Sequence, residues 1–144
     1  NIGDPINLEP ALQEGSLLGG HKVTGHIDCL GKIALFESSE NGFWKLNITV
    51  PEQYNKYIIQ KGSIAICGIS LTIQNSTLVR RSSSVIIEIM IIPFTYESTI
   101  LSSLKENFNV EVEFDSSIKT LGSLLENMVP KYIQKHFEIF SPKL

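Results

Sequence analysis

The stretch Lys61-Gly62-Ser63-Ile64-Ala65-Ile66-Cys67-Gly68-Ile69-Ser70-Leu71-Thr72-Ile73 decides the fold class. It reads as two short strand-like segments joined end to end. Ile64 and Ile66 share a face of the first, while Ile69, Leu71 and Ile73 share a face of the second. The apolar set jumps from even to odd positions, which breaks the pleat near Cys67-Gly68. Glycine at a phase change marks a β-bulge or a sharp corner, where a strand bends to close a barrel or lets a ligand approach the backbone. Past the corner, Ser70 and Thr72 point away from the apolar side. Two readings stay open: a ligand wall, or a barrel corner whose hydroxyls face water.

Upstream, Phe43 to Val50 alternates, with Trp44, Leu46, Ile48 and Val50 on one face. Asn41-Gly42 before it is a hairpin signal. His21 to Phe36 is β-like and punctuated by Gly25 and Gly31, which predicts a long bent strand. Pro10 to Leu18 predicts a short helical turn ended by Gly19-Gly20. Pro51 starts a short helix through Tyr54 to Ile59. Downstream, Gln74 to Ser84 reads as a polar loop, with an irregular hairpin at Leu78 and Val79. Val85 to Ile92 is an apolar strand ended by Pro93. Thr95 predicts a helix cap, with Ile100, Leu101, Leu104 and Phe108 as the stripe. Asn109 to Phe114 alternates with Val110, Val112 and Phe114 inward, and Asp115 caps a final helix. On that helix Ile118, Leu121, Leu125, Met128 and Tyr132 follow a narrow coiled-coil-like seam, and Pro130 interrupts or kinks it. Phe137 and Phe140 keep the end amphipathic. The helix either packs on its own barrel or serves self-association. The whole pattern is that of an all-β chain, a small closed β-barrel with short connecting helices and a C-terminal α-helix.

Composition narrows the function. The chain has 144 residues, 42% of them hydrophobic, which suits one packed domain. A net charge of −3 offers no basic footprint for nucleic acid. No apolar run has the length of a membrane span. Cys29 and Cys67 read as reduced thiols of a cytoplasmic protein. The turn at Asn1-Ile2-Gly3-Asp4-Pro5 enters a strand-like piece at once, and the expectation is a chain cut from something longer. His21 and His26 are five apart and fall on opposite faces of an unbent strand, so no metal site is expected. What remains are two Gly-flanked, polar-tipped segments, Thr24-Gly25-His26-Ile27-Asp28 and Cys67 to Thr72, and a strand exit at Ile92-Pro93-Phe94-Thr95. Such positions aim backbone and hydroxyl groups at a flat heterocycle.

These segments resemble motifs of the riboflavin synthase family. Gly19 to Asp28 resembles its GGH-x-x-x-GH-x-D segment, and Lys61 to Ile73 its KGSI-x-x-x-G-x-SLT segment. Ile91 to Thr95, followed by Ser98-Thr99, resembles IP-x-T-x-x-TT. Gly3 to Glu9 resembles GD-x-VN-x-E, and Val112 to Asp115 matches the strand before the C-terminal helix. The resemblance implies a six-stranded Greek-key barrel over 1–115, the second of the family's two, and an oligomerising helix over 116–144. It implies conversion of two 6,7-dimethyl-8-ribityllumazine molecules into riboflavin and a ribitylaminopyrimidinedione, with no cofactor or metal. By family, the partners are the lumazine, riboflavin, further copies in a homotrimer, and lumazine synthase. The alternative is a non-catalytic lumazine- or flavin-binding antenna; a third reading is a purely structural barrel.

Carried over residue by residue, Ser70, His26 and Asp115 are the candidates for catalysis. Gly25, His26, Ile27 and Lys61 would edge the substrate, and Ser70, Leu71 and Thr72 would bond it. Met90, Ile91, Ile92, Pro93, Phe94 and Thr95 would form the remaining wall. Three departures stand out: Cys67 for Asp or Asn, Phe94 for a polar residue, and Glu111 for Asn. A family active site pairs the second barrel of one subunit with the first barrel of a neighbour, so this chain is expected to carry half a site.

Overall fold

The computed structural model describes residues 2–140, with side chains as far as Gln134. Six strands form one closed antiparallel barrel. They are β1 (Cys29–Ser38), β2 (Trp44–Pro51), β3 (Ser63–Ile66), β4 (Ile69–Val79), β5 (Ser84–Ile91) and β6 (Asn109–Phe114). Around the barrel the order is β1-β2-β5-β4-β3-β6, a Greek-key arrangement closed by β6 pairing with β1. The expected all-β barrel is therefore what forms. Short helices connect it: a 3₁₀ turn at Glu52–Tyr57, α1 at Pro93–Glu97 and a 3₁₀ turn at Ile100–Ser103. Helix α2 (Ser116–Phe140) follows β6.

The core comes from strand alternation. Leu46, Ile48 and Val50 of β2, Val85, Ile87, Ile89 and Ile91 of β5, and Val110, Val112 and Phe114 of β6 are all buried. Each apolar residue on an inward position removes roughly 1.5–3 kcal/mol of unfavourable hydration. Phe114 stacks on Tyr54 and tilts against Tyr57, which covers one end of the barrel.

The phase break at Cys67-Gly68 is a full reversal and not a bend in one strand. β3 and β4 pair antiparallel, with Ile66 opposite Ile69 and Ile64 opposite Leu71. A two-residue turn sets even residues opposite odd ones, so the apolar positions change parity while staying on one face. Cys67 and Gly68 hold φ of +49° and +78°, the left-handed pair that a type I′ hairpin turn requires.

Other expectations need correction. The strand expected from His21 begins only at Cys29, because His21, Thr24 and Gly25 donate to side chains instead of a neighbouring strand; backbone bonding to β6 starts at Asp28, whose N donates to Val112 O. Pro10 to Leu18 forms no helix: it is exposed throughout, and a short helix without a packing face is not stable. Gln74 to Val79 is strand, not loop, because backbone pairing with β5 holds it after a bulge between Ile73 and Asn75. The helix expected from Thr95 to Phe108 is broken in two. Thr99 Oγ1 donates to Thr95 O and accepts from Leu101 N, and such local bonds compete with a continuing helix. Ile92, not Thr95, is the N-cap of α1, with Pro93 in its first turn.

Helix α2 runs through Pro130 without ending. Its start rests on the barrel, where Gly122 faces Tyr57 and Lys56 pairs with Glu126 at 2.6 Å. Leu121, Leu125, Met128 and Tyr132 of the seam are exposed. The side chains of Phe137 and Phe140, and residue Asn1, lie outside the described residues.

The turn geometry gives a stability prediction. Gly68→Val forces a β-branched residue into the left-handed region and is expected to cost about 1–3 kcal/mol. Cys67→Asn, which places a residue suited to that region, is expected to fold at least as stably. Urea unfolding measures both; a Gly68→Val protein as stable as wild type would contradict the turn assignment.

Candidate functional site

A cleft of ≈ 350 Å³ opens beside the β4–β5 pair. It is lined by Ser70, Leu71, Thr72, Met90, Ile91, Ile92 and Thr95, together with Phe43 and Gln74. The β3–β4 reversal brings the first three there, and the exit of β5 into α1 brings the rest. The volume is that of a small-molecule site. Lys61 stands at its rim, its Nζ donating to Gln74 Oε1. Pro93 and Phe94 are outside the lining, and Phe94 is 74% exposed.

A second group of expected residues sits on a strap formed by Gly20 to Asp28, which crosses the outer face of the barrel. Pairing puts Glu113, Ala65 and Ser70 in one row across β6, β3 and β4, so the outer two lie roughly 9–10 Å apart by strand spacing. Ala65 points outward between inward Ile64 and Ile66, yet it is only 1% exposed. The strap is anchored on both sides of it. At one anchor His21 N donates to Ser70 Oγ at 3.2 Å, and His21 Nδ1 lies 2.7 Å from the same oxygen. Gly20 (φ +122°) passes so close that a Cβ there would lie 2.5 Å from Ser70 Oγ; only glycine suits that approach.

At the other anchor Glu113 is 2% exposed. Its carboxylate accepts from Thr24 N at 2.9 Å, Thr24 Oγ1 at 2.7 Å and Gly25 N at 2.9 Å. Burial alone would raise this carboxyl, but the bonds from Thr24 and Gly25, with the Lys119 charge, hold it below the ordinary Glu value. Beside it Lys119 Nζ donates to both Asp28 oxygens, at 3.1 and 2.8 Å. Asp28 Oδ2 also accepts from Phe114 N, and Asp28 O accepts from Tyr54 Oη. The strap is thus pinned to β6, to α2 and to the segment after β2. His26 is exposed on it, its Nδ1 2.9 Å from Thr24 Oγ1.

Asp115 stands apart from the cleft as the cap of α2. Its Oδ1 accepts from Ser117 N at 2.8 Å. Burial and the neighbouring Asp28 charge push the Cys29 thiol up to about 11. Burial and the Glu111 side chain push that of Cys67 up to about 12. Neither is a nucleophile at neutral pH. Among the described residues no group of three or more His, Cys, Asp or Glu is placed to hold a metal ion.

The sequence reading missed His21 as the partner of Ser70, Glu113 as the anchor of Thr24, and Phe43 and Gln74 as cleft walls. Glu113 occupies an outward position of the alternating strand, as Glu111 does, so the pattern gave it no signal. Phe43 and Gln74 carried none either.

Comparison with known proteins places these residues in a family. Residues 24–115 match the model of the lumazine binding domain. The chain is 35% identical over 125 residues to riboflavin synthase of Photobacterium leiognathi, covering 87% of this chain and 54% of the relative. It is 36% identical over 126 residues to that of Mycobacterium tuberculosis, with coverage of 87% and 60%. With riboflavin synthase of Actinobacillus pleuropneumoniae it shares 40% over 127 residues, with coverage of 88% and 54%. The chain therefore spans only a little over half the length of these curated relatives. Among solved structures, its fold is similar to LumP complexed with 6,7-dimethyl-8-(1′-D-ribityl) lumazine. The TM-score is 0.58 at 23% identity, over 69% of this chain and 52% of that one. For LumP complexed with riboflavin the TM-score is 0.52 at 25% identity, over 69% and 50%.

The Glu113 anchor has a pH signature. A carboxyl held below its ordinary value adds stability that is full above 4.5 and is lost as pH falls through the folded value. Glu113→Gln is expected to cost about 1.5–3 kcal/mol at neutral pH. The gap to wild type should narrow in urea unfolding at acid pH; an equal gap at pH 7 and pH 3.5 would contradict the anchor.

Proposed function

The chain belongs to the lumazine-binding domain family, and from that premise we propose that it carries the second-barrel half of a riboflavin synthase active site. The observation that carries this reading is the cleft. Ser70, Leu71, Thr72, Met90, Ile91, Ile92 and Thr95, brought from β4, β5 and α1, line one small-molecule-sized space. The named relatives, and the lumazine and riboflavin bound in the similar structures, supply the ligand class.

In this reading one 6,7-dimethyl-8-ribityllumazine lies against β4 and β5. Met90 and Ile92 contact its apolar face, and Thr72, Thr95 and Gln74 offer hydrogen bonds to the ring edge and ribityl chain. A neighbouring first barrel holds the second lumazine against it. The reaction removes a proton from an acidic ring methyl, adds the resulting carbon nucleophile to the other ring, and passes a four-carbon unit across. Two lumazines give one riboflavin and one 5-amino-6-ribitylaminopyrimidinedione, so atoms balance without an external oxidant. Holding both rings in contact supplies much of the rate advantage, and a positioned base supplies the rest. His26 on the strap is that base. Ser70 serves the site by fixing the strap through His21 as well as by lining the cleft.

The reading includes a reducing, cytoplasmic location, which suits Cys29 and Cys67 as free thiols. It includes a homotrimer assembled through the helix of residues 116–144, supported by the exposed seam of α2.

Titration with the lumazine or with riboflavin is expected to quench ligand fluorescence with micromolar affinity. Thr72→Val, on the cleft wall and outside the strap, should weaken binding about tenfold, or about 1.4 kcal/mol. Ser70→Ala should weaken it at least as much. Absence of any response from wild type would remove the site. Binding with no pyrimidinedione released, even beside a first barrel, would favour the antenna reading.

A further inference from the structure

The strap's hydrogen bonds have a direction. Thr24 Oγ1 has one proton to give and lies 2.7 Å from Glu113 Oε1 and 2.9 Å from His26 Nδ1. The ionised carboxylate only accepts, so the Thr24 proton goes to Glu113. A bond to a charged acceptor is the stronger use of that proton. The contact with His26 then runs the other way: Nδ1–H donates to Thr24 Oγ1. When one ring nitrogen of a neutral imidazole is protonated, the other carries the lone pair.

We propose that Glu113, acting through Thr24, is a positioning residue that fixes His26 as the Nδ1–H tautomer and leaves Nε2 as its proton-accepting atom. The use of Nε2 to deprotonate the ring methyl rests on the lumazine reading above. The tautomer itself does not. The carboxylate is well suited to set it, because Thr24 N and Gly25 N hold both its oxygens independently of the histidine. Glu113 is buried on the barrel wall while His26 is exposed, so a rigid element orients a group on the surface. The opposite tautomer would set the Nδ1 lone pair against the Thr24 oxygen. Relieving that clash would require Thr24 to turn its proton away from the carboxylate.

The test reads the tautomer directly in ligand-free protein. Long-range proton–nitrogen NMR of the ¹⁵N-labelled full chain, at a pH where the ring is neutral, distinguishes the two nitrogens. The His26 signals are assigned by their loss in His26→Gln. Wild type and Thr24→Ser are expected to show Nδ1 protonated and Nε2 free. Thr24→Val, which lacks the hydroxyl, and Glu113→Ala, which frees the Thr24 proton to turn towards the ring, should lose that preference. An Nε2–H ring in wild type, or an unchanged tautomer in folded Thr24→Val, would overturn the proposal. If either variant fails to fold, the wild-type and Thr24→Ser spectra still decide it. A correct tautomer in a protein that binds no lumazine would sink the site reading alone; the wrong tautomer in a protein that binds it would sink this one alone.

Discussion

Strand β6 closes the barrel, pairing with β1 along one edge and β3 along the other. Its inward residues Val110, Val112 and Phe114 fill the core. Its one buried outward residue, Glu113, holds the strap. Its last residue passes into Asp115, which caps α2. A buried carboxylate without donors would be costly; here the strap provides them, so closing the barrel and placing His26 depend on the same contacts. The outer row Glu113, Ala65, Ser70 is where core and site meet.

The reversal at Cys67-Gly68 complements that closure. It turns β3 into β4 without a loop, so Ser70 stands opposite Ala65, between the strap and the cleft. The departure of Cys67 from the family's Asp or Asn also becomes intelligible. The position needs a positive φ, which Asn and Asp adopt more readily than most residues. Cys67 takes it while packing its partly buried side chain against the core. Phe94 is the opposite case: it departs from the family pattern at a site outside the cleft lining.

Much of the barrel was legible in the sequence. Alternation in β2 and β6 identified the inward residues, because a strand's period of two is local; β5 was legible only as an apolar strand, since its outward positions are mostly apolar too. The cleft residues of β4 and β5 were legible through the motif resemblance, not through periodicity. The reversal was not read correctly, since a parity jump is produced equally by a bulge and by a two-residue turn. The strap was mistaken for strand because its partners are side chains far along the chain; Thr24 and Glu113 are separated by 89 positions. Gln74 to Val79 looked like loop because pairing to β5, not an apolar face, keeps it extended. Local pattern reports burial well and long-range polar contacts poorly.

The central claim is that one small-molecule site spans the β4–β5 cleft and the strap that abuts it at Ser70. Backbone amide NMR of the labelled chain, titrated with 6,7-dimethyl-8-ribityllumazine, tests it most directly. The account predicts shifts concentrated at Ser70 to Gln74, at Met90 to Thr95 and along His21 to Ile27. Shifts concentrated instead around the separate hollow lined by Pro5, Ile6, Asn7, Glu97 to Ile100, Ser102 and Ser103, with the cleft and strap unmoved, would contradict it.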